Sequence, residues 1–358
     1  MKLINNLLIQ SDNLSALNWL LNIKNLRHSI DLVYIDPPFA TNGNFTITNG
    51  RASTISNSKK GDIAYTDKLI GNDFIEFLKI RLKLIKELLS DQGSIYLHID
   101  YKIGHYVKVM MDEVFGIENF RNDITRIKCN PKNFKRIGYG NIKDLILFYS
   151  KGKNPVWHEP KEKYTEKDYE KLFLKIDNKG RRYTTVPIHA PGETENGNSN
   201  QPFKGILPPE GRHWRTDVKT LEEWDKEGLI EWSSTGNPRK IIFADERNGK
   251  RVQDIWEYKD PQYPKYPTEK NNKLLDLIIR TSSNENSIVL DCFCGSGTTL
   301  FSAQNLNRKW IGIDQSSYAI NATKNKISLI EKSFFIQEVD YDFIDLIKKT
   351  ETRPCVSV

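Results

Sequence analysis

Asp36-Pro37-Pro38-Phe39 closes an apolar run, Asp31-Leu32-Val33-Tyr34-Ile35, that is rich in strand formers. A strand ending this way delivers a carboxylate, a rigid backbone carbonyl and an aromatic ring to one point. That set suits an amine. An exocyclic amino group on a nucleobase is a poor nucleophile because its lone pair delocalises into the ring. The Asp36 carboxylate and the Pro37 carbonyl can each accept one N–H, polarising the amine and aiming it at an electrophile. Consecutive prolines fix φ and remove N–H donors, so the carbonyl is held before reaction. Phe39 can stack on the base, and a base inside a duplex reaches such a pocket only by flipping out. The plainer reading is that Pro37 and Pro38 break a strand and Phe39 is core.

A second segment weighs against the plainer reading. Val289-Leu290-Asp291 runs into Cys292-Phe293-Cys294-Gly295-Ser296-Gly297 and then a helical pattern from Thr298. Glycines at such a bend let the backbone approach a ligand, and the helix N-terminus presents free N–H groups. A tight turn alone would also explain them. The next strand, Trp310-Ile311-Gly312-Ile313, ends in Asp314, a carboxylate about 20 residues on that suits ribose hydroxyls. Thr299-Leu300 occupy the continuation of a dinucleotide motif, which favours S-adenosylmethionine over NAD. A P-loop is excluded because no lysine follows the glycines.

These segments need a scaffold, and the pattern supplies one. Strand 7–9, helix 13–22 with Leu14, Leu17, Leu20 and Leu21 on one face, and strand 31–35 come first. Residues 40–66 are rich in Thr, Asn, Ser and Gly and read as a mobile loop. Helix 74–89 with a stop at Asp91-Gln92-Gly93, strand 94–99, helix 103–115 and strands near 121–128 and 144–149 complete residues 1–150. From 151 to 262 the texture changes: Trp157, Trp214, Trp224, Trp232 and Trp256 appear among frequent prolines, with a helix near 219–228. Regular alternation resumes over 263–358, with helices at 269–281, 298–307 and 316–327 and strands at 287–290 and 309–313. Two β/α segments flanking an insertion predict one doubly wound, Rossmann-like α/β sheet.

The net charge of +7 is compatible with a polyanionic partner, and its distribution says more. No acid lies between Asp123 and Asp144, where Arg126, Lys128, Lys132, Lys135, Arg136 and Lys143 fall with Asn130, Phe134 and Tyr139 between them. Phosphate neutralisers mixed with stacking groups suit a nucleic-acid groove; a solvated basic loop is the alternative. Cys129, Cys292, Cys294 and Cys355 form neither a disulfide framework nor a zinc set, so no metal is expected. No run approaches the roughly 18 apolar residues of a membrane span, and the N-terminus lacks a signal-peptide layout. A cytoplasmic protein with reduced thiols is expected.

At these residues the chain resembles the amino-DNA-methyltransferases of the β arrangement, in which the catalytic motif precedes the target-recognition region and the cofactor glycines come last. Solitary adenine methyltransferases and the modification subunits of Type III restriction systems share that order. The resemblance covers most of the chain and implies roles residue by residue. Asp36, Pro37, Pro38 and Phe39 stand for the catalytic Asp-Pro-Pro-Tyr/Phe. Asp291, Phe293, Gly295 and Gly297 stand for the methionine-binding acid and its glycine loop, and Asp314 for the ribose-binding acid. Tyr266-Pro267-Thr268-Glu269-Lys270 is similar to the segment whose Thr268 and Lys270 would meet the methionyl carboxylate. Gln10-Ser11-Asp12 would put Asp12 beside the adenine ring. The family usually has His where Tyr266 stands and Gly where Ser11 stands. Gly211-Arg212-His213-Trp214-Arg215 is similar to a recognition-region motif whose Arg212 and Arg215 would contact phosphate or guanine; burial of His213 and Trp214 is the alternative. His98 and Asp100 are read as structural.

The resemblance implies a methyltransferase sheet split into a catalytic half (1–150), a target-recognition region (151–262) and a cofactor-binding half (263–358). It implies S-adenosylmethionine as cofactor and double-stranded DNA as substrate, and it admits a homodimer and a cognate restriction endonuclease as partners. Asp at the head of the catalytic motif favours adenine N6; cytosine N4 is the runner-up, since those enzymes more often carry Ser there. No cysteine motif suited to C5-cytosine chemistry follows a strand. A non-catalytic DNA-binding subunit and an RNA substrate are the other readings.

Overall fold

The computed structural model describes residues 5–37, 71–131, 135, 137–192, 197–261, 270–334 and 339–347, with the backbone of three strands between 44 and 66. It forms two units, Met1–Pro160 with Gln253–Val358, and Lys161–Val252.

The first unit is built on nine strands: β1 Asn6–Gln10, β2 Ile30–Ile35, β3 Leu89–Ile99, β4 Phe120–Ile127, β5 Lys143–Ser150, β6 Ile255–Trp256, β7 Ile288–Asp291, β8 Lys309–Asp314 and β9 Tyr341–Asp345. They lie in the order β6-β4-β5-β3-β2-β7-β8-β1-β9. Every pairing is parallel except those of β5, which runs against both β3 and β4. Six helices accompany the sheet: α1 Asn13–Asn22, α2 Asn72–Leu88, α3 Gly104–Phe115, α4 Asn272–Ser282, α5 Thr298–Asn305 and α6 Ser317–Phe334.

The central strands are apolar without alternation because both faces are covered. Leu7, Ile9, Val33, Ile35, Ile95 and Leu97 pack against Leu17, Leu20, Leu78, Leu82 and Ile85 of α1 and α2. Their neighbours Leu8, Leu32, Tyr34 and Tyr96 are equally buried and point to the opposite face. Each fully buried Leu or Ile contributes roughly 1.5–3 kcal/mol. The doubly wound α/β sheet expected from the alternation is therefore present.

Several elements differ from the sequence reading. β3 starts at Leu89, so Asp91-Gln92-Gly93 lies inside a strand rather than ending a helix. Its register with β2 shifts between Ile30 and Leu32, and a Cβ on Gly93 would sit 2.9 Å from the Ile30 carbonyl oxygen. Glycine permits that close approach at the irregularity. Within 40–66, expected as a loop, Asn44–Thr48 pairs antiparallel with Arg51–Ser53 and Asp62–Thr66; the rest of that interval, and its mobility, lie outside the described residues. β6, two residues long, gave no periodic signal, and β9 alternates acids with apolar groups beside β1.

The second unit has a four-stranded antiparallel sheet in the order 175–176, 182–187, 238–243, 230–232. A hairpin pairs His189–Pro191 with Arg212–Trp214, and Ile188, Phe203, Trp214 and Leu221 form a small core. The unit is narrower than 151–262 because Trp157 stacks on Phe148 and Trp256 joins β4, both in the first unit. Among the described residues no helix is long and apolar enough to cross a membrane.

Candidate active site

β2 and β7 are neighbouring parallel strands, paired Leu32 with Val289 and Val33 with Leu290. Their carboxyl ends therefore bring Asp36 and Asp291 to the same edge, at the point where the strand order reverses and open α/β sheets bind ligands. Asp314 ends β8 alongside, and Ser11 N–H donates to its carbonyl (3.0 Å), tying in the end of β1.

Asp36 follows β2 directly. Its side chain is 16% exposed, and Oδ2 lies 2.6 Å from Lys270 Nζ. Oδ1 is buried and has no hydrogen-bond partner among the described residues. His98 Nδ1 stands 3.9 Å from Oδ1. His98 comes from β3, is fully buried, and lies between the Tyr34 hydroxyl (2.9 Å to Nδ1) and Asp144 Oδ2 (3.2 Å to Nε2). Burial pushes the imidazole below its ordinary value, the Lys270 charge adds to this, and Asp144 opposes it. A neutral ring donating Nε2–H to Asp144 and accepting from Tyr34 at Nδ1 is the tautomer that satisfies the network. Burial, reinforced by Asp36, raises Tyr34, so its hydroxyl keeps its proton. Burial opposes ionisation of Asp144, yet the His98 hydrogen bond and Lys128 hold its carboxyl well below the usual range.

The glycine loop is fixed by two carboxylates. Asp291 accepts from Phe293 N–H at Oδ1 (3.0 Å) and from Thr299 Oγ1 at Oδ2 (2.6 Å). Burial nevertheless pushes it up to about 7, against these hydrogen bonds and with help from Asp36 and Asp314. Asp314 accepts from Gly295 N–H at Oδ2 (3.0 Å) and from Ser316 N–H at Oδ1 (2.9 Å). Gly297 caps α5 in the left-handed region, φ 73°, where a Cβ would meet Thr323 Cγ2 at 2.7 Å. Thr323 Oγ1 in turn donates to the Gly295 carbonyl (3.0 Å). Phe293 leans on Phe77, ring centroids 6.4 Å apart. Asp12 is exposed and caps α1, its Oδ1 accepting from Leu14 and Ser15 N–H.

Pro37 is described and buried. Pro38, Phe39, Thr268, Lys132 and Arg136 lie outside the described residues.

The basic stretch divides. Arg126, expected to face phosphate, is 0% exposed: its guanidinium meets Asp260, the Tyr258 carbonyl and, at 3.6 Å, Asp144. It is structural because it points inward from β4. Lys128 is largely buried on Asp144 at 2.6 Å. Lys135 and Lys143 are exposed, as are Ile137 and Tyr139, the latter 101%. In the second unit Arg212 and Arg215 are exposed around His189, at 3.2 Å from its Nδ1 and its carbonyl oxygen. Trp214 is core, and His213 Nδ1–H donates to the Gly192 carbonyl (2.7 Å).

Sequence reasoning missed Tyr34, Thr299, Thr323 and Asp144 as parts of the site. Only Asp144 left a signal, a lone acid opening the run Leu145-Ile146-Leu147-Phe148. Among the described residues no group of His, Cys, Asp and Glu could hold a metal. Burial pushes the Cys292 and Cys294 thiols up, away from the thiolate form.

Comparison with known proteins bears on this geometry. The DNA methylase model N6_N4_Mtase matches residues 30–325. The Type II methyltransferase M.EcaI of Enterobacter cloacae is 39% identical over 330 residues, covering 90% of this chain and 70% of its own. The StyLTI Mod subunit, a Type III restriction-modification protein of Salmonella typhimurium, is 25% identical over 85% of this chain, which spans half its length. The solved M1.HpyAVI–SAM complex is 17% identical with a TM-score of 0.49, covering 91% of this chain and 99% of that one.

Proposed function

Since this chain belongs to the N6/N4 family of DNA methylases, we propose that it methylates N6 of adenine in double-stranded DNA after flipping the base out of the stack. S-adenosylmethionine is the cofactor that fits the family, and the residues here fit it in turn. At Gly297 a side chain would strike Thr323 in a left-handed backbone, so glycine is what lets the Gly295-Ser296-Gly297 turn hold its backbone N–H groups as a cradle at the start of α5. Asp291 and the Gly295–Gly297 loop would hold the methionyl end beside Phe293, Asp314 the ribose and Asp12 the adenine. Thr268 would meet the methionyl carboxylate. When bound, the cofactor supplies an electrophilic methyl group on sulfonium.

The observation that carries the reading is the buried, unpartnered Oδ1 of Asp36 beside that cradle. Leaving a buried acceptor unsatisfied costs about 1–3 kcal/mol, a cost an incoming N–H removes. Asp36 Oδ1 and the Pro37 carbonyl would take the two amine hydrogens, with Pro38 fixing the backbone and Phe39 stacking on the base. With the amine held this way its nitrogen lone pair would face the sulfonium methyl, and the surplus N–H proton of the methylated amine would pass to solvent. Orientation supplies most of the rate. His98 is neutral but committed to Asp144 and Tyr34, so no strong general base is invoked.

Lys135 and Lys143, with Lys132 and Arg136, would neutralise phosphates, and Arg212 and Arg215 would contact DNA from the second unit. M.EcaI is named a Type II methyltransferase and the StyLTI Mod subunit a Type III restriction-modification protein, which supports a modification role in the bacterial cytoplasm with a cognate endonuclease. A homodimer is compatible with this.

Expressing the chain in a host without DNA methylation and mapping modified bases by single-molecule sequencing tests the proposal. N6-methyladenine at one recurring sequence supports it. N4-methylcytosine would keep the mechanism and replace the base; unmodified DNA from a host making folded protein would overturn both.

A further inference from the structure

We propose that Lys270 is the positioning residue for the Asp36 acceptor: its ammonium holds Oδ2 and so leaves Oδ1 as the one oxygen that receives the amine hydrogen. The inference rests on the reading of Asp36 above and assigns Lys270 a task other than meeting the cofactor's carboxylate.

Three observations meet here. Lys270 Nζ lies 2.6 Å from Asp36 Oδ2, with the two side chains 10% and 16% exposed. Oδ1 of the same carboxylate is buried without a hydrogen-bond partner among the described residues. The titratable neighbour on that side, His98, stands 3.9 Å away with Nδ1 engaged by the Tyr34 hydroxyl. A free carboxylate presents two equivalent oxygens and turns about its last torsion. An ammonium fixed on one of them removes the equivalence, at short range and in surroundings where water screens little. His98 cannot substitute, because its ring donates toward Asp144 and accepts from Tyr34. Lys270 is likewise held in place: a nearly buried cation leaves its anion only at a large desolvation cost.

The acceptor is thus oriented from a position immediately before α4, far in sequence from Asp36. A residue acting this way changes the transfer step through Asp36 and leaves cofactor affinity nearly untouched. A residue that grips the methionyl carboxylate does the reverse.

The test is a double-mutant cycle read in single-turnover methyl transfer at saturating S-adenosylmethionine, with cofactor Kd measured separately by fluorescence titration. Lys270→Gln and Lys270→Met should each slow transfer about 10- to 100-fold while Kd changes less than about threefold. Lys270→Arg, which keeps the charge, should retain more rate than either. Against an Asp36→Asn background, Lys270→Gln should add no further loss, because the group it acts through is gone. Independent, multiplying losses, or a loss of cofactor affinity with the saturated rate unchanged, would overturn the proposal. The wild type labelling a different base leaves this test intact, so the two readings fail separately.

Discussion

Asp36 and Asp291, which lie near opposite ends of the sequence, leave the carboxyl ends of two hydrogen-bonded parallel strands. The charge of Asp36 is one of the influences pushing Asp291 upward. The pairing of β2 with β7 therefore joins the acceptor proposed for the amine hydrogen to the cradle proposed for the methyl donor.

The Asp291 carboxyl makes stability depend on pH. Its folded value, about 7, lies above the ordinary value of about 3.9. Its contribution is therefore full below pH about 4 and lost as pH rises through about 7. Thermal unfolding without cofactor should show wild type losing several degrees between pH 5 and pH 8 relative to Asp291→Asn. Parallel pH profiles for the two proteins would refute this.

Gly297→Ala puts a methyl group against Thr323 in a left-handed backbone conformation. A cost of about 1–3 kcal/mol in urea unfolding is expected, with weaker S-adenosylmethionine binding. Unchanged affinity would mean that the cradle lies elsewhere.

Arg126 and Lys143 should behave oppositely although both belong to the basic stretch. Arg126→Ala removes the buried guanidinium that ties Asp260 and the Tyr258 carbonyl to β4, while Asp144 keeps Lys128 and His98, and should cost about 1–3 kcal/mol of stability. Lys143→Ala should leave stability alone and reduce the salt slope of DNA binding by about 1. A normal slope in Lys143→Ala would move the phosphate track away from this strand end.

Arg212→Ala with Arg215→Ala should weaken DNA binding without changing cofactor Kd, since neither side chain is in the core around Trp214. Filter binding at two salt concentrations separates a phosphate role, uniform across sequences, from base reading, which is lost only at the preferred site.

Much of this was legible because buried parallel strands announce themselves. Ile30–Ile35 and Ile288–Asp291 are short apolar runs ended by Asp-Pro-Pro and by glycines, and helix α1 spans the expected residues and buries Leu17, Leu20 and Leu21, with Ala16 in place of Leu14. Burial was less legible. Nothing local separates Arg126 from Lys143, because each is one cation on a strand; only the β4–β5 pairing turns the first inward and leaves the second at an end. The Lys270–Asp36 contact was equally hidden, since it depends on where a chain returning from an insertion re-enters the sheet. Residues 44–66 misled by composition: the Thr-, Asn-, Ser- and Gly-rich flanks obscured the short apolar alternation of Asn44–Thr48, which pairs with Asp62–Thr66.

The central claim is methyl transfer to adenine N6 through Asp36. Incubating the protein with tritium-labelled S-adenosylmethionine and unmethylated genomic DNA, digesting to nucleosides and identifying the labelled species tests it most directly, with Asp36→Ala alongside. Label in N6-methyladenine that falls to background in the variant is the expected result. Label in another nucleoside, or label that survives loss of the Asp36 carboxylate, would contradict it.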